Sequence, residues 1–296
     1  MSVPQINSLA AASALFKSEV VYKYQNSEKL NDTIFEQHGT VGTTVNVPIS
    51  DEIEMSEGSF ASNDIQITSV EETNVPIITK NYYVKTVVGG GEETLFNYNK
   101  VMTHARLHAK AAGRMNDFIK INAIFSDAAL VASLYTVPAS VGANTGINQG
   151  KISDALSYIE SQGLDEDQLF DTTMWTPALL RKSMMNDDRI VNSFYNDVKP
   201  LTNNRINTYS GIDIRFIGQN GINRIPSTGA TPNVFLVPIV HKYAITQTYN
   251  REIKTTITWV QNQDRYELLT SFTSGAKVIQ PGGIALMIAN DPFATS

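Results

Sequence analysis

One uninterrupted stretch, Glu92 to Ser126, constrains this chain more than any other. It contains no proline and a single glycine, Gly113, and it is rich in Ala, Leu, Met, Lys and Arg, which lose little conformational freedom in a helix. Leu95, Tyr98, Met102, Ala105, Ala109, Ala112, Ile119 and Ala123 recur at three- and four-residue steps. That spacing predicts one helix with a continuous apolar stripe, widened by Leu107, Ala111, Met115, Phe118 and Phe125. Glu92 and Glu93 suit the positive N-terminal end, and Gly89, Gly90 and Gly91 supply a hinge before it. At about 1.5 Å per residue the helix reaches roughly 50 Å, enough to cross a domain. In a chain otherwise patterned for strands, it reads as a spine.

The 296 residues suffice for a large core, and 42% hydrophobic against 18% charged content fits a globular protein light on charge. No run approaches the ~18 apolar residues of a membrane span. The first residues lack a basic leader ahead of their apolar positions, so no signal peptide is expected. With no cysteine, disulfides and thiolate metal sites are excluded, and a reducing cytoplasm is the simplest setting. The net charge of −6 is unevenly spread. Asp51, Glu52, Glu54, Glu57, Asp64, Glu71 and Glu72 lie in a stretch without Lys or Arg, leaving 22 acids against 23 bases elsewhere.

The order of elements follows from local patterns. Residues 1–38 hold a weakly amphipathic helix (Ile6, Leu9, Phe16, Val20) and a polar stretch, too little to fold alone, and so predict an arm. Val41, Thr43, Val45, Val47 and Ile49 alternate as a strand, and a second extended run covers Val75 to Val88. Joined by the acidic segment, these two runs predict a protruding hairpin over residues 39–88. The Gly/Asn-rich loop 137–150 marks a boundary, followed by a helix through Ile152, Leu156 and Ile159 that Gly163 ends. Next come a short strand from Phe170 to Trp175 and a helix capped by Thr176 with Pro177 at its first position. A helix near DDRIVNSFYNDV, a strand in GIDIRFIG and a buried strand in NVFLVP complete an α/β module. The last third reads as antiparallel: Ile253, Ile257 and Trp259, then Tyr266, Leu268 and Phe272, then Val278, then GGIALMIA, apolar on both faces and hence central. The overall class is α+β, with the module inserted between two parts of one sheet-plus-spine domain.

No pattern supports catalysis. The glycines before Glu92 lack the Lys and Ser/Thr of a phosphate loop, and two carboxylates there would repel phosphate. His104 and His108 are four apart, yet no Glu follows His104, so the metalloprotease pattern is missing. His38 and His241 have no obvious partner, and no nucleophile elbow, dinucleotide fingerprint or calcium loop occurs. No enzyme activity, cofactor or metal is expected.

Arm, acidic hairpin, glycine hinge, spine helix, inserted module and closing sheet together resemble the major capsid protein of tailed phages, with its Hong Kong 97-type fold. The segments that carry the resemblance are GTVGTTVNVP before the hairpin, and NVFLVPIVHKYAIT, with His241, Lys242 and Ala244, ahead of the strands ending in GGIALMIA. The resemblance implies an arm (1–38), an extended loop (39–88), a peripheral domain in two parts (89–149 and 240–296) and an axial domain (150–239). It also implies pentamers and hexamers tiling an icosahedral shell around double-stranded DNA, assembled in the host cytoplasm. Separate scaffolding, portal and decoration proteins are the partners of such a shell, and no membrane is involved. No Lys occurs between Lys29 and Lys80, so the covalent welding that some coat proteins achieve through a loop lysine is not expected. A nanocompartment shell protein of the same fold (encapsulin-like), a ring-forming tail or neck protein, and an enzyme of unknown class are the alternatives.

Three sets of contact residues follow. Asp51, Glu52, Glu54, Glu57, Glu71 and Glu72 form an acidic docking surface on the extended loop, with Arg251 and Lys254 as its receiving side on a neighbour. Arg106, Lys110 and Arg114, spaced by four on the spine, form a basic stripe that would face DNA or an acidic scaffold on the inner wall. The plainer reading of that stripe is a solvated helix face.

Overall fold

The computed structural model describes residues 27–50, 70, 72–89, 100–142, 145–163, 171–187, 190, 208–227 and 234–290. The spine is α1, Lys100–Phe125, whose 26 residues span about 39 Å. The expected earlier start, at Glu92, lies outside the described residues. The N-terminal part of α1 lies on a four-stranded sheet and its C-terminal part on a six-stranded one. Both sheets are therefore fixed to one rigid element.

The four-stranded sheet has the order β1–β10–β11–β4, formed by Phe35–His38, Ile245–Val260, Arg265–Val278 and Lys80–Gly89. β10 and β11 make a long antiparallel hairpin, and β4 runs along β11 from Lys80 opposite Ser274 to Gly89 opposite Arg265. β1 is parallel to β10 and covers only Thr246 to Tyr249, so the rest of β10 is a free edge among the described residues. Val101 and Ala105 of α1 pack with Val88, Leu268 and Tyr266, while Ala112 and Ile119 pack with Tyr249 and Phe272.

The six-stranded sheet has the order β5–β12–β9–β6–β8–β7, from Tyr135–Val137, Ile284–Asn290, Val234–His241, Thr172–Pro177, Ile212–Ile217 and Thr208–Tyr209. Its two faces are both covered. Ala285, Met287, Val237 and Ile239 meet Ile152, Ala155 and Ile159 of α3, Gln149–Ser161. On the other side Ile284, Leu286, Val240 and Trp175 meet Ile121 and Ile124 of α1 and Leu134, just beyond α2 (Ala128–Ser133). Each such fully buried aliphatic side chain contributes about 1.5–3 kcal/mol. α3 is capped by the Asn148 side chain on the Lys151 amide and stops at Gln162, with Gly163 at φ +89° where a side chain would be strained.

The two-sided burial decides which sheet GGIALMIA joins. GGIALMIA is an interior strand, but β12 pairs with β9 and β5 instead of joining β10 and β11. The reason is cover: a strand apolar on both faces needs a layer on each, and among the described residues only the six-stranded sheet has two. The expected hairpin arm from Val75 to Val88 is also divided. β3, Glu72–Ile78, pairs antiparallel with β2, Thr44–Ser50, whereas β4 belongs to the four-stranded sheet. The division falls at Thr79, whose amide and hydroxyl both bond the Thr43 carbonyl. Thr176 does not cap a helix: Thr176 and Pro177 end β6, and after a short 3₁₀ turn α4 (Arg181–Met185) follows. Parallel pairing of Thr176 with Phe216 and of Pro177 with Ile217 keeps both residues extended. Apart from Asp187 and Ile190, the helix expected near DDRIVNSFYNDV falls outside the described residues.

Candidate assembly interfaces

The β2–β3 hairpin leaves the four-stranded sheet at a root centred on Asn250. The Asn250 amide donates to the Thr79 hydroxyl at 3.1 Å and to the Gly42 carbonyl, while its Oδ1 accepts from the Thr40 hydroxyl at 2.6 Å. A backbone bond from Thr40 to the Tyr249 carbonyl, 3.2 Å, adds a fourth tie. Gly275 of β11 lies so close beneath Ile78 that a Cβ there would collide with the Ile78 carbonyl. The root is thus fixed to the sheet, while β2 and β3 extend from it with alternate residues in solvent.

Glu72 is the first residue of β3, exposed and paired opposite Ser50. Asp51, Glu52, Glu54, Glu57 and Glu71 lie outside the described residues. Arg251 and Lys254 are exposed on the free stretch of β10. Regular alternation would put residues three apart on opposite faces. The register shifts between Tyr249 and Lys254, however, pair Arg251 with Thr273 and Lys254 with Ser271. Cross-strand partners share a face, so both cations project from the face turned away from α1. β4 adds Tyr83 and Val87 to that face, and β11 adds Leu269, with Tyr83 74% exposed. Glu267 sits there between Lys85 and Arg265, 2.6 Å from each, which holds its carboxyl below the ordinary range. This face combines apolar area with the cations Arg251 and Lys254, and Glu252 is exposed between them in sequence, 3.3 Å from His38.

Arg106 is exposed on α1, and Lys110 and Arg114 are half-buried one and two turns further on. All three lie off the line of Ala105, Ala112 and Ile119 that packs on the sheet. Gly89 ends β4 opposite Arg265, so it belongs to the strand and not to a hinge; Gly90 and Gly91 lie outside the described residues.

The histidines hold the layers together. His108 is buried between Thr86 (Nε2 to Oγ1, 2.9 Å) and Thr270 (Nδ1 to Oγ1, 3.1 Å), and His104 reaches the same Thr86 at 3.2 Å. Burial pushes His108 below its ordinary pKa, with His104 adding to the shift. His38 stacks on Tyr249 with ring centroids 4.9 Å apart, and His241 is buried beside the Tyr243 ring. Among the described residues, no group of His, Asp and Glu is arranged to hold a metal ion, and no helix is long and apolar enough to cross a membrane.

Sequence patterns did not reveal how the chain entering the sheet is pinned to α1. Asp117 accepts from the amides of Lys29 and Leu30, at 2.9 and 3.0 Å, and from the Asn223 side chain at 3.0 Å. Burial pushes the Asp117 carboxyl up, against those donors and the nearby Lys120. Lys120 is itself buried and donates to the Leu30 carbonyl and to Glu36, both at 2.7 Å. The available signal was two opposite charges, Asp117 and Lys120, placed three apart beside a long apolar stripe.

The spine thus joins two sheets, while the β2–β3 hairpin and one face of the four-stranded sheet are exposed among the described residues. Comparison with family models matches residues 9–287 to "Phage capsid protein". The chain belongs to the phage capsid protein family, and it is a major capsid protein of the tailed-phage type, a component of the virion capsid. Comparison with curated proteins gives no match. Among solved structures, the chain is similar to one from Mycobacterium phage Che8, with 11% identity, TM-score 0.67 and 97% of each chain covered. The capsid of Cyanophage P-SCSP1u gives 12% identity and TM-score 0.70, covering 95% of this chain and 92% of that one. The head of Helicobacter pylori bacteriophage KHP40 gives 11% identity and TM-score 0.66, covering 98% and 99%. At such identities the likeness is one of fold, and the fold is the Hong Kong 97 type.

Proposed function

We propose that this chain acts without catalysis, as the repeating subunit of an icosahedral shell that encloses double-stranded DNA, built from pentamers and hexamers in the host cytoplasm. The observation that carries this reading is the hairpin root: four hydrogen bonds fix a projecting β2–β3 ribbon to the sheet, and a two-stranded ribbon is marginal unless something else packs on it. A neighbouring subunit is that support. The acidic loop residues Asp51, Glu52, Glu54, Glu57, Glu71 and Glu72 dock on the face bearing Arg251 and Lys254. Charge pairs there set register and rate more than affinity. Arg106, Lys110 and Arg114 line the inner wall and meet packaged DNA or an acidic scaffold without sequence preference. Residues 1–38 act as the arm, 39–88 as the extended loop, 89–149 with 240–296 as the peripheral domain and 150–239 as the axial domain, whose sheet β5 and β12 complete. Scaffolding, portal and decoration functions fall to separate proteins. Sedimentation of the purified chain, with and without a co-expressed scaffold, tests the reading: large closed particles are expected, and a stable monomer under both conditions contradicts it.

A further inference from the structure

The outer side of α1 is less covered than its spacing requires. Met115, Phe118 and Phe125 follow one another at helical steps and stay half-exposed. They border three adjoining cavities. One, of about 420 Å³, lies between α1 and β4 beside Tyr82. A second, of about 580 Å³, lies between α1 and residues 219–227. The third, of about 420 Å³, continues past Tyr82 to β11. Ile222 lines the first and second, Tyr82 the first and third, and Phe118 the second and third, so the three form one trough along the helix. From Ala111 to Phe125 it runs about 21 Å, or four helical turns. Ile222 and Leu179 are 51% and 52% exposed at its margin.

The margin is basic. Among the described residues, Arg114, Arg224, Lys80 and Lys277 line the trough against a single acid, Asp127. Phosphate backbones would gain nothing from an apolar floor of this length, whereas an amphipathic polypeptide matches both floor and margin. Glu28 and Leu30 meet α1 on another side, at Gly113, Asn116 and Asp117. Asp117 lies about 160° round the helix from Met115.

We propose that this trough is the docking groove for an amphipathic helix of a separate assembly protein, with apolar residues on its inner face and carboxylates along both flanks. The helix of the partner lays side chains at three- and four-residue spacing between Met115, Phe118, Ile222 and Phe125, and its carboxylates meet Arg224, Lys80 and Arg114. The partner's role in assembly rests on the shell reading; the chemistry of the groove does not.

The test uses the purified full chain and a synthetic, fluorescently labelled peptide of about 18 residues, with Leu at helical core spacing and Glu on both flanks. Two controls carry Lys on the flanks or the same residues in scrambled order. Fluorescence anisotropy at roughly 0.1 M salt reads binding, and sedimentation of the same sample reads particle formation separately. The Glu-flanked peptide is expected to bind saturably and about tenfold tighter than either control. Reversing the exposed margin with Arg224→Glu and Lys80→Glu is expected to shift the preference to the Lys-flanked peptide, while Phe118→Ser removes binding. The exposed-site reversal keeps the test decisive if Phe118→Ser fails to fold. Equal binding of the scrambled peptide, or no change on margin reversal, overturns the proposal. So does a large gain in peptide affinity when residues 1–22 are deleted, because the groove then belongs to the chain's own arm. Peptide binding without particles would count against the shell reading and leave the groove standing.

Discussion

The Thr40 hydroxyl donates to the Asn250 side chain at 2.6 Å, joining the segment that leads into the hairpin to the point where β10 becomes a free edge. The same Asn250 amide also holds the Gly42 carbonyl on the leading side and the Thr79 hydroxyl on the return side, so one side chain ties both ends of the ribbon. Asn250→Ala is expected to lower subunit stability by only about 1–2 kcal/mol in urea titration, since the site is half-exposed. It should have a larger effect on assembly, giving aberrant or heterogeneous particles by electron microscopy. Gly275→Ala, which forces the ribbon off β11, should do the same. Parent-like particles from both variants would show that the root does not set the ribbon's direction.

Charge reversal tests the docking surface. Glu54→Lys with Glu57→Lys should slow or misdirect assembly in low salt while leaving the isolated subunit's Tm almost unchanged. Adding Arg251→Glu and Lys254→Glu should restore part of the rate, because opposite charges again face one another. Normal assembly kinetics by light scattering for the first pair alone would rule the contact out.

The inner stripe predicts a different phenotype. Arg106→Gln, Lys110→Gln and Arg114→Gln together should permit empty shells yet weaken scaffold retention or the holding of DNA. The deficit should shrink as salt is added, because exposed pairs are screened over roughly 8–10 Å. If the triple variant retains DNA like the parent at low salt, the stripe is only a solvated face.

His108 predicts the sign of a pH effect. Burial between Thr86 and Thr270 keeps the folded imidazole below its ordinary value of 6.5. As pH falls through that value the unfolded chain takes up a proton that the folded subunit does not, so stability is lost with acidification. The slope from this one proton is at most about 1.4 kcal/mol per pH unit. His108→Gln should flatten the dependence of urea midpoint on pH between about 6.5 and 5. An unchanged slope would show that His108 does not contribute.

Without a lysine between Lys29 and Lys80 or any cysteine, mature particles should be held by non-covalent contacts alone. Boiled denaturing gels are expected to show one band near 32.6 kDa, and a ladder of higher bands would disprove it.

What was legible in the sequence was what local spacing encodes. The stripe through Ala105, Ala112 and Ile119 located the spine, and alternation located the strands. The two-faced apolar run at Ile284–Asn290 marked an interior strand. Its partners were not legible, because pairing with β9 rather than β11 depends on which sheet has layers on both sides. Nor was the shift between Tyr249 and Lys254, since Asn250 to Lys254 contains no glycine or proline to signal it. Yet that shift is what places Arg251 and Lys254 on one face. Thr176-Pro177 carried a correct local helix signal that parallel pairing with β8 overrode. Asp117 and Lys120 gained their roles only when residues 29–36 came to rest against them.

The most direct test of the account is a cryo-electron-microscopy reconstruction of the particles this chain forms. The expected result is a closed icosahedral shell in which each β2–β3 ribbon lies on the Arg251- and Lys254-bearing face of a neighbouring subunit, with α1 turned toward the interior. Open rings or tubes, or subunits whose ribbon and β10 face both remain in solvent, would contradict it.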